Sequence, residues 1–103
     1  MVLTTLGADA DATALARTLV QERLAACVNV LPVMMSFYRW KGAIEQDREQ
    51  QLVIKTAPAQ LSALEARIRE LHAYDVPEFL VLTVSGGSAA YLQWIRECTG
   101  PTA

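Results

Sequence analysis

The sequence predicts an α+β domain whose elements follow the order β-α-β-β-α-β, with one further helix at the C-terminus. Segments with apolar residues three and four positions apart predict the helices, and runs rich in β-branched and aromatic residues predict the strands. The longest stretch, residues 26–56, turns back at Lys41 and Gly42 and is typical of a β-hairpin. This order predicts the split-βαβ, ferredoxin-like arrangement, in which two helices cover one face of a four-stranded antiparallel sheet.

The first strand and the first helix occupy residues 2–24. Residues 2–6 form an apolar strand that Gly7 ends. Asp9 or Asp11 can cap the following helix, because a carboxylate accepts hydrogen bonds from the free amides of a first helical turn. The apolar positions of this helix repeat with a helical period: Ala12, Leu15, Ala16, Leu19, Val20 and Leu24.

The arms of the hairpin are over twice as long as an average strand of about 5–6 residues. Pro32 interrupts the first arm, and because proline cannot donate to a ladder it marks an edge or a bulge. A domain of 103 residues cannot cover such arms with its own helices. The surplus must bend away or pair with another chain, so the sequence predicts an oligomer. The pair Lys41 and Gly42 fits a two-residue or a bulged three-residue turn, which leaves the hairpin register open.

The second helix begins near Pro58, which suits a first helical turn. It ends by Tyr74, because Pro77 disfavours helical angles at the residue before it. Glu65 and Arg69 are spaced for an ion pair on its outer side. The inward positions are Leu61, Leu64, Ile68 and Leu71.

Two elements complete the chain. Residues 79–84 form a nearly continuous apolar run, which predicts a strand covered on both faces. Ser88 can cap a last helix, and Gly100 with Pro101 ends it. The apolar face of this helix comprises Tyr91, Leu92, Trp94, Ile95 and Cys98.

Composition restricts the classes of function. We expect a single domain over residues 1–103, with a net charge of −2 and scattered basic residues, which argues against nucleic-acid binding. No apolar run approaches the roughly 18 residues of a membrane helix. Because the first residues have the pattern of a strand, we expect no leader. Cys27 and Cys98 form neither a CxxC pair nor a disulfide framework. We therefore expect a cytoplasmic protein.

The residues that several activities of ferredoxin-like domains require are absent from this sequence. The first strand–helix loop, residues 7–9, has neither the paired cysteines of a copper chaperone nor the arginine of an anion cradle. The chain has no glycine-rich phosphate loop and lacks the aromatic motif of an RNA-binding sheet. With one histidine and no nucleophile beside it, no catalytic constellation is apparent, and we predict a protein that is not an enzyme.

The segment after the second helix is the main candidate site. Residues 72–78 place an imidazole, a phenol and two carboxylates on one loop, where binding groups are often found. His72 can instead close its helix by meeting the terminal carbonyls, with Glu78 in solvent. Cys27 is either a soft metal ligand joined by His72 and a carboxylate, or a small buried hydrophobe.

Other candidates lie on the hairpin. Tyr38, Arg39 and Trp40 are near its tip, and these residue types dominate protein contacts, although packing within one subunit is the alternative. Met34 and Met35 alternate faces on a strand, so we interpret them as interface or core residues and not as a metal box. Lys55 could hold an anion, or its amine could remain in solvent.

Five motifs occur in order over nearly the whole chain: residues 22–29 (ERLAACVN), 38–42 (YRWKG), 54–56 (IKT), 72–78 (HAYDVPE) and 91–95 (YLQWI). Together they resemble the CutA divalent-cation tolerance proteins. The resemblance implies a ferredoxin-like subunit in a tight homotrimer, built like the PII signalling proteins, with hairpin arms that pair between subunits. It also implies binding of divalent cations and a role in tolerance to copper and related ions. The family usually has proline where this chain has Ala73.

The same resemblance implies the site residues. Its motifs give Cys27, His72 and Glu78 as metal candidates. They give four residues that line the cleft between subunits: Tyr38, Trp40, Lys55 and Tyr74. The leading hypothesis is therefore a cytoplasmic homotrimer that binds a divalent metal ion, with Cu²⁺ suited to imidazole, thiolate and carboxylate together. The alternative is a PII-like sensor trimer that binds an anionic small molecule or a partner through Lys55, and an enzyme using Cys27 or His72 ranks last.

Overall fold

The structure, a computed structural model, describes residues 1–102 and has the predicted α+β architecture. Ala103, the end of the predicted 1–103 domain, lies outside the described residues. No described helix is long and apolar enough to cross a membrane. The elements in chain order are β1 (Val2–Gly7), α1 (Ala12–Gln21), β2 (Cys27–Val30), β3 (Met34–Trp40), β4 (Ala43–Lys55), a 3-10 turn (Pro58–Gln60), α2 (Leu61–Leu71), β5 (Leu80–Val81) and α3 (Ala89–Cys98).

The sheet is antiparallel, and its strands follow the order β2-β4-β1-β5. β3 extends the edge of β4 beyond β2. Side chains alternate along β1 and β4, so that one face of the sheet carries buried apolar residues. This topology confirms the ferredoxin-like prediction.

The hydrophobic core lies between this face of the sheet and the helices α1 and α2. Each large apolar side chain that is fully buried stabilises the fold by about 1.5–3 kcal/mol. The strands contribute Val2, Leu6, Leu52 and Ile54, and the helices contribute Leu15, Leu19, Leu64 and Ile68.

The helix termini confirm most of the predicted signals. Asp11, and not Asp9, caps α1 by accepting the amide of Ala14. The predicted continuation to Leu24 is wrong, because Arg23 takes a positive φ of 61° and turns the chain toward β2. In α2 the predicted ion pair forms, with Arg69 and Glu65 3.1 Å apart.

The hairpin has its predicted break and its predicted turn. Pro32 lies in the gap between β2 and β3, and both strands pair with β4. Trp40 pairs with Ala43, which makes the turn a two-residue turn, and Lys41 and Gly42 both have positive φ. The first six residues of β4, 43–48, pair with β3 alone. This part of the hairpin, residues 34–48, is called the hairpin arm below.

The two C-terminal elements are less buried than predicted. Instead of a strand over residues 79–84 covered on both faces, only Leu80–Val81 pairs with β1, and both side chains are exposed. Ser88 caps α3 as expected, but the predicted apolar face leaves Tyr91 and Trp94 exposed. Within one chain, these surfaces have too few neighbouring elements to cover them.

Candidate functional site

An open cleft of about 730 Å³ lies on the face of the sheet opposite the core and continues along β3 of the hairpin arm. The side chains of β4 that face it alternate with the buried Leu52 and Ile54. The lining residues come from β1 (Thr5), from β3 (Met34, Ser36, Tyr38, Trp40), from β4 (Glu49, Gln51) and from the loop of residues 73–78.

Tyr38 is fixed above the cleft by a carboxylate across the hairpin. Its hydroxyl donates a hydrogen bond to Asp47. This bond, together with partial desolvation, raises the pKa of Tyr38 to about 12, because ionisation would place a phenolate next to a carboxylate. The phenol therefore remains neutral and acts as a donor at ordinary pH.

Tyr74 approaches the cleft from the loop. Its hydroxyl donates to Oε2 of Glu49 over 2.8 Å. Burial and this bond raise the pKa of Tyr74. Glu49 is only 7% exposed, so the phenol is an important partner for its buried carboxylate.

Gln51 connects the sheet to the end of the loop. Its Nε2 donates to the carbonyl of Thr4 over 2.7 Å and to Oε2 of Glu78 over 2.9 Å. Glu78 is half-buried, and this contact fixes the position of its carboxylate at the end of the loop. The amide of Gln51 thus orients Glu78 within the cleft.

The lining of the cleft is acidic. It contains the carboxylates of Glu49, Asp75 and Glu78, and no lining residue is a lysine, an arginine or a histidine. A concave surface with charge of one sign concentrates ions of the opposite sign. The cleft is therefore suited to a cation and unsuited to an anion.

The structure brings four of the seven predicted site residues together. Tyr38, Trp40, Tyr74 and Glu78 all line the cleft. Cys27 and Lys55 are absent from the lining and pair with each other where β2 meets the end of β4. Lys55 is four residues beyond Gln51, a displacement of about 13 Å along a strand at about 3.3 Å per residue.

His72 lies outside the cleft. It lines a second cavity of about 520 Å³, bounded by β1, the start of α1 and the end of α2. Its Nε2 is bonded to the carbonyl of Thr5, and its Nδ1 accepts the amide of Tyr74. The alternative that this ring meets the terminal carbonyls of its own helix is therefore wrong, because it bonds to β1 instead.

The positions of these side chains determine whether one chain can hold a metal ion. Among residues 1–102, no three His, Cys, Asp or Glu side chains converge closely enough to hold one. The cleft itself offers carboxylate and phenol oxygens, which suit hard divalent cations. Cys27, His72 and Glu78 occupy separate places in the single chain. Their assignment as metal ligands stays a prediction.

Sequence reasoning missed the residues of β4 that shape the cleft. Asp47, Glu49 and Gln51 alternate along one strand, so their side chains share a face. Odd-numbered residues of β4 pair with even-numbered residues of β3. Asp47 and Glu49 therefore lie on the same face as Tyr38. A polar row at strand spacing was the signal that could have identified them.

A family model described as "CutA1 divalent ion tolerance protein" matches residues 1–98. The chain is similar to the divalent-cation tolerance protein CutA of Thermus thermophilus, with 43% identity over 100 residues and coverage of 97% of both chains. It is also similar to the chloroplastic protein CutA of Arabidopsis thaliana, with 45% identity over 85 residues. That match covers 82% of this chain and only 47% of the plant protein, so the chain spans about half of this relative.

Solved structures agree with the sequence matches. The divalent cation tolerance protein (CutA1) from Thermus thermophilus superposes with a TM-score of 0.92 at 43% identity, over 96% of each chain. The PII-like protein CutA from Nostoc sp. PCC 7120, in its apo form, superposes with a TM-score of 0.89 at 34% identity. This match covers 96% of this chain and 95% of the Nostoc chain.

Proposed function

Because this chain belongs to the CutA1 divalent ion tolerance family, we propose that it acts in divalent-cation tolerance by binding such cations in the acidic cleft. The role is binding and not catalysis. The single observation that carries the proposal is the charge of the cleft, since three carboxylates line it and no basic residue does.

The cation completes its coordination with groups beyond one chain. Glu49, Asp75 and Glu78 do not converge on one point, so one subunit supplies at most two of these carboxylates, and water or a neighbouring subunit supplies the remaining ligands. Hard divalent cations commonly retain several waters when few carboxylates hold them. A cleft along the exposed hairpin arm is also where a second copy would pack.

The family resemblance implies a finer form of this function, a copper site of Cys27, His72 and Glu78, which the geometry of one chain does not favour. Thiolate with imidazole would favour Cu²⁺ over harder cations. Within one chain the oxygen donors of the cleft support a cation better than this set does, because Cys27 and His72 do not line the cleft. Comparing Cu²⁺ with Mn²⁺ in the experiment below tests this preference.

The assembly that we propose is a homotrimer. The hairpin arm is a two-stranded ribbon outside the four-stranded sheet, and such a ribbon is marginally stable alone in water. Phe37 and Ile44 are 67% and 71% exposed on the face away from the cleft, while Tyr38 and Trp40 are exposed on the other. Apolar residues on both faces favour packing against neighbouring copies. The PII-like name of the Nostoc relative supports a trimer by analogy.

Calorimetric titration of the purified protein with Mn²⁺ and with Cu²⁺ tests the cation site. We expect Glu49→Gln and Glu78→Gln each to weaken binding at least about tenfold, or about 1.4 kcal/mol, because each removes a charged donor. Glu65→Gln is the matched control, since Glu65 pairs with Arg69 on the outer side of α2. Equal affinities for all four proteins, or no binding to the wild type, would contradict the proposal.

The alternative of an anion-binding sensor gains no support from this cleft. Lys55, its proposed anchor, is not among the lining residues, and the lining carries the wrong charge. A thermal-shift screen distinguishes the two functions, because a ligand that binds the native state raises its melting temperature. Stabilisation by an anionic metabolite, with none by divalent cations, would favour the sensor.

We propose the cytoplasm as the location of this protein. Cys27 and Cys98 are both free thiols, which fits a reducing compartment. The Arabidopsis relative, by contrast, is named as chloroplastic. Fractionation of the native cells tests the assignment, and recovery in an organelle or a secreted fraction would overturn it.

A further inference from the structure

The two ring nitrogens of His72 are both engaged by backbone groups. Nδ1 accepts a hydrogen bond from the amide of Tyr74 over 3.0 Å. A neutral imidazole has one N–H and one lone pair, so the hydrogen lies on Nε2. Nε2 therefore donates to the carbonyl of Thr5, 2.5 Å away on β1. Every hydrogen-bonding group of this side chain is then used within the fold.

The contacts continue from His72 into the acidic cleft. The rings of His72 and Tyr74 pack with centroids 4.7 Å apart, and the hydroxyl of Tyr74 bonds to Glu49. Residues 72–79 have no regular secondary structure, so few backbone bonds fix this loop. The chain of contacts from Thr5 through His72 and Tyr74 to Glu49 ties the loop to both central strands.

We propose that His72 is a positioning residue that latches residues 73–78 to β1 and holds Tyr74 on Glu49, and that it is not a cation ligand. A neutral imidazole binds a metal ion through its lone pair. Here the lone pair belongs to Nδ1, which the amide of Tyr74 occupies. Ligation would therefore release Tyr74 from the latch. Only the second part of this inference, that His72 is not a cation ligand, rests on the proposed function.

Hydrogen exchange of the metal-free protein tests the latch. In His72→Asn, Oδ1 can still accept the amide of Tyr74, whereas in His72→Gln the side-chain amide can still reach Thr5. His72→Phe keeps a ring but removes both bonds. We expect the Tyr74 amide to exchange about tenfold faster in His72→Phe than in the wild type, and to remain most protected in His72→Asn.

A matched control separates the latch from a general loosening of the loop. Tyr74→Phe removes the bond to Glu49 but retains the amide bond to His72, so exchange at position 74 should rise less than in His72→Phe. Equal protection of this amide in the wild type and in His72→Phe would overturn the latch. If His72→Phe fails to fold, His72→Gln is compared with His72→Asn, and equal protection of the Tyr74 amide in these two variants would overturn the latch.

Electron paramagnetic resonance of the Cu²⁺-loaded protein tests the second part of the inference. His72 is the only histidine of the chain, so an imidazole nitrogen coupling in an untagged protein could come only from it. We expect no such coupling in the wild type. A coupling that disappears in His72→Phe would overturn the assignment. If Cu²⁺ does not bind, the proposed cation binding is wrong for this ion, and the hydrogen-exchange experiment tests whether the latch exists.

Discussion

Thr4 and Thr56 show how one hydroxyl group can have opposite effects at two buried positions. Thr4 is fully buried on the core face of β1, and its Oγ1 has no hydrogen-bond partner among the described residues. Thr56 is also buried, but its hydroxyl donates to the carbonyl of Leu24 over 2.7 Å. A buried hydroxyl without a partner costs free energy, whereas a paired one contributes to stability.

Thr4→Val should therefore raise the free energy of unfolding by about 1 kcal/mol, because valine keeps the shape and removes the unpaired hydroxyl. Thr56→Val should lower it by about 1 kcal/mol, because it leaves the carbonyl of Leu24 without its donor. Denaturant unfolding measures both. The account of the core would be wrong if the two substitutions shifted stability in the same direction.

Tyr38 provides a prediction for pH. Its pKa is raised to about 12 from an ordinary value of 10.0, mainly by the hydrogen bond to Asp47. A raised pKa favours the neutral phenol in the folded state, so this contribution to stability is complete below pH about 10 and is lost as the pH rises through about 12. Ultraviolet titration should show Tyr38 ionising late, together with Tyr74, whose pKa is also raised.

Asp47→Asn should return this ionisation toward the ordinary tyrosine value, and Tyr38→Phe should remove it from the titration curve. Glu45→Gln is the matched control, since its carboxylate is a smaller cause of the shift. An unchanged titration in Asp47→Asn would show that the pair across the hairpin does not form in solution.

The residues of the cleft could be predicted only in part from their residue types. Glu78 and Tyr74 stood out because they share a short loop, whereas Glu49 became visible only when the register placed it beside that loop. Residues that are distant in sequence meet through strand pairing, and a one-residue change of register would have moved Glu49 to the other face. The sequence left that register open.

The turn of the hairpin is the element on which the register depends. Lys41 and Gly42 have φ angles of 49° and 81°, the left-handed conformation of a two-residue hairpin turn. Glycine tolerates this conformation, but a residue with a Cβ is strained there. The hairpin arm therefore depends on Gly42 for its geometry.

Gly42→Ala should lower the free energy of unfolding by about 1 kcal/mol, although a Cβ at this position meets no atom within 4 Å. The cost comes from the local backbone conformation and not from contact with distant atoms. Gly86→Ala is the control, because Gly86 also has open space but no positive φ. Equal effects of the two substitutions on thermal unfolding would contradict this explanation.

Most elements were predictable because their signals are local. Asp11, Ser88 and the Lys41–Gly42 turn act on neighbouring backbone and are found where predicted. Pro58 instead opens a 3-10 turn, and α2 begins after it at Leu61. The strand over residues 79–84 was not predictable in this way, because an apolar run shows that residues need cover and not which chain supplies it. In one chain, only Leu80 and Val81 pair with β1.

The whole molecule is elongated, at 47 Å by 26 Å by 23 Å. β4 alone spans about 40 Å at about 3.3 Å per residue, and the paired sheet uses only its second half. Exposed apolar groups are found on the hairpin arm, on β5 and on α3, far from the core between the sheet and its helices. These exposed surfaces are the reason for proposing that other copies of the chain complete the fold.

Sedimentation equilibrium of the wild-type protein at micromolar concentration tests this central claim most directly. We expect a particle of three times the 11.3 kDa chain mass, with no folded single subunit in equilibrium with it. A well-folded species of 11.3 kDa would contradict the account, because the hairpin arm and the exposed strand β5 would then be stable without a neighbour.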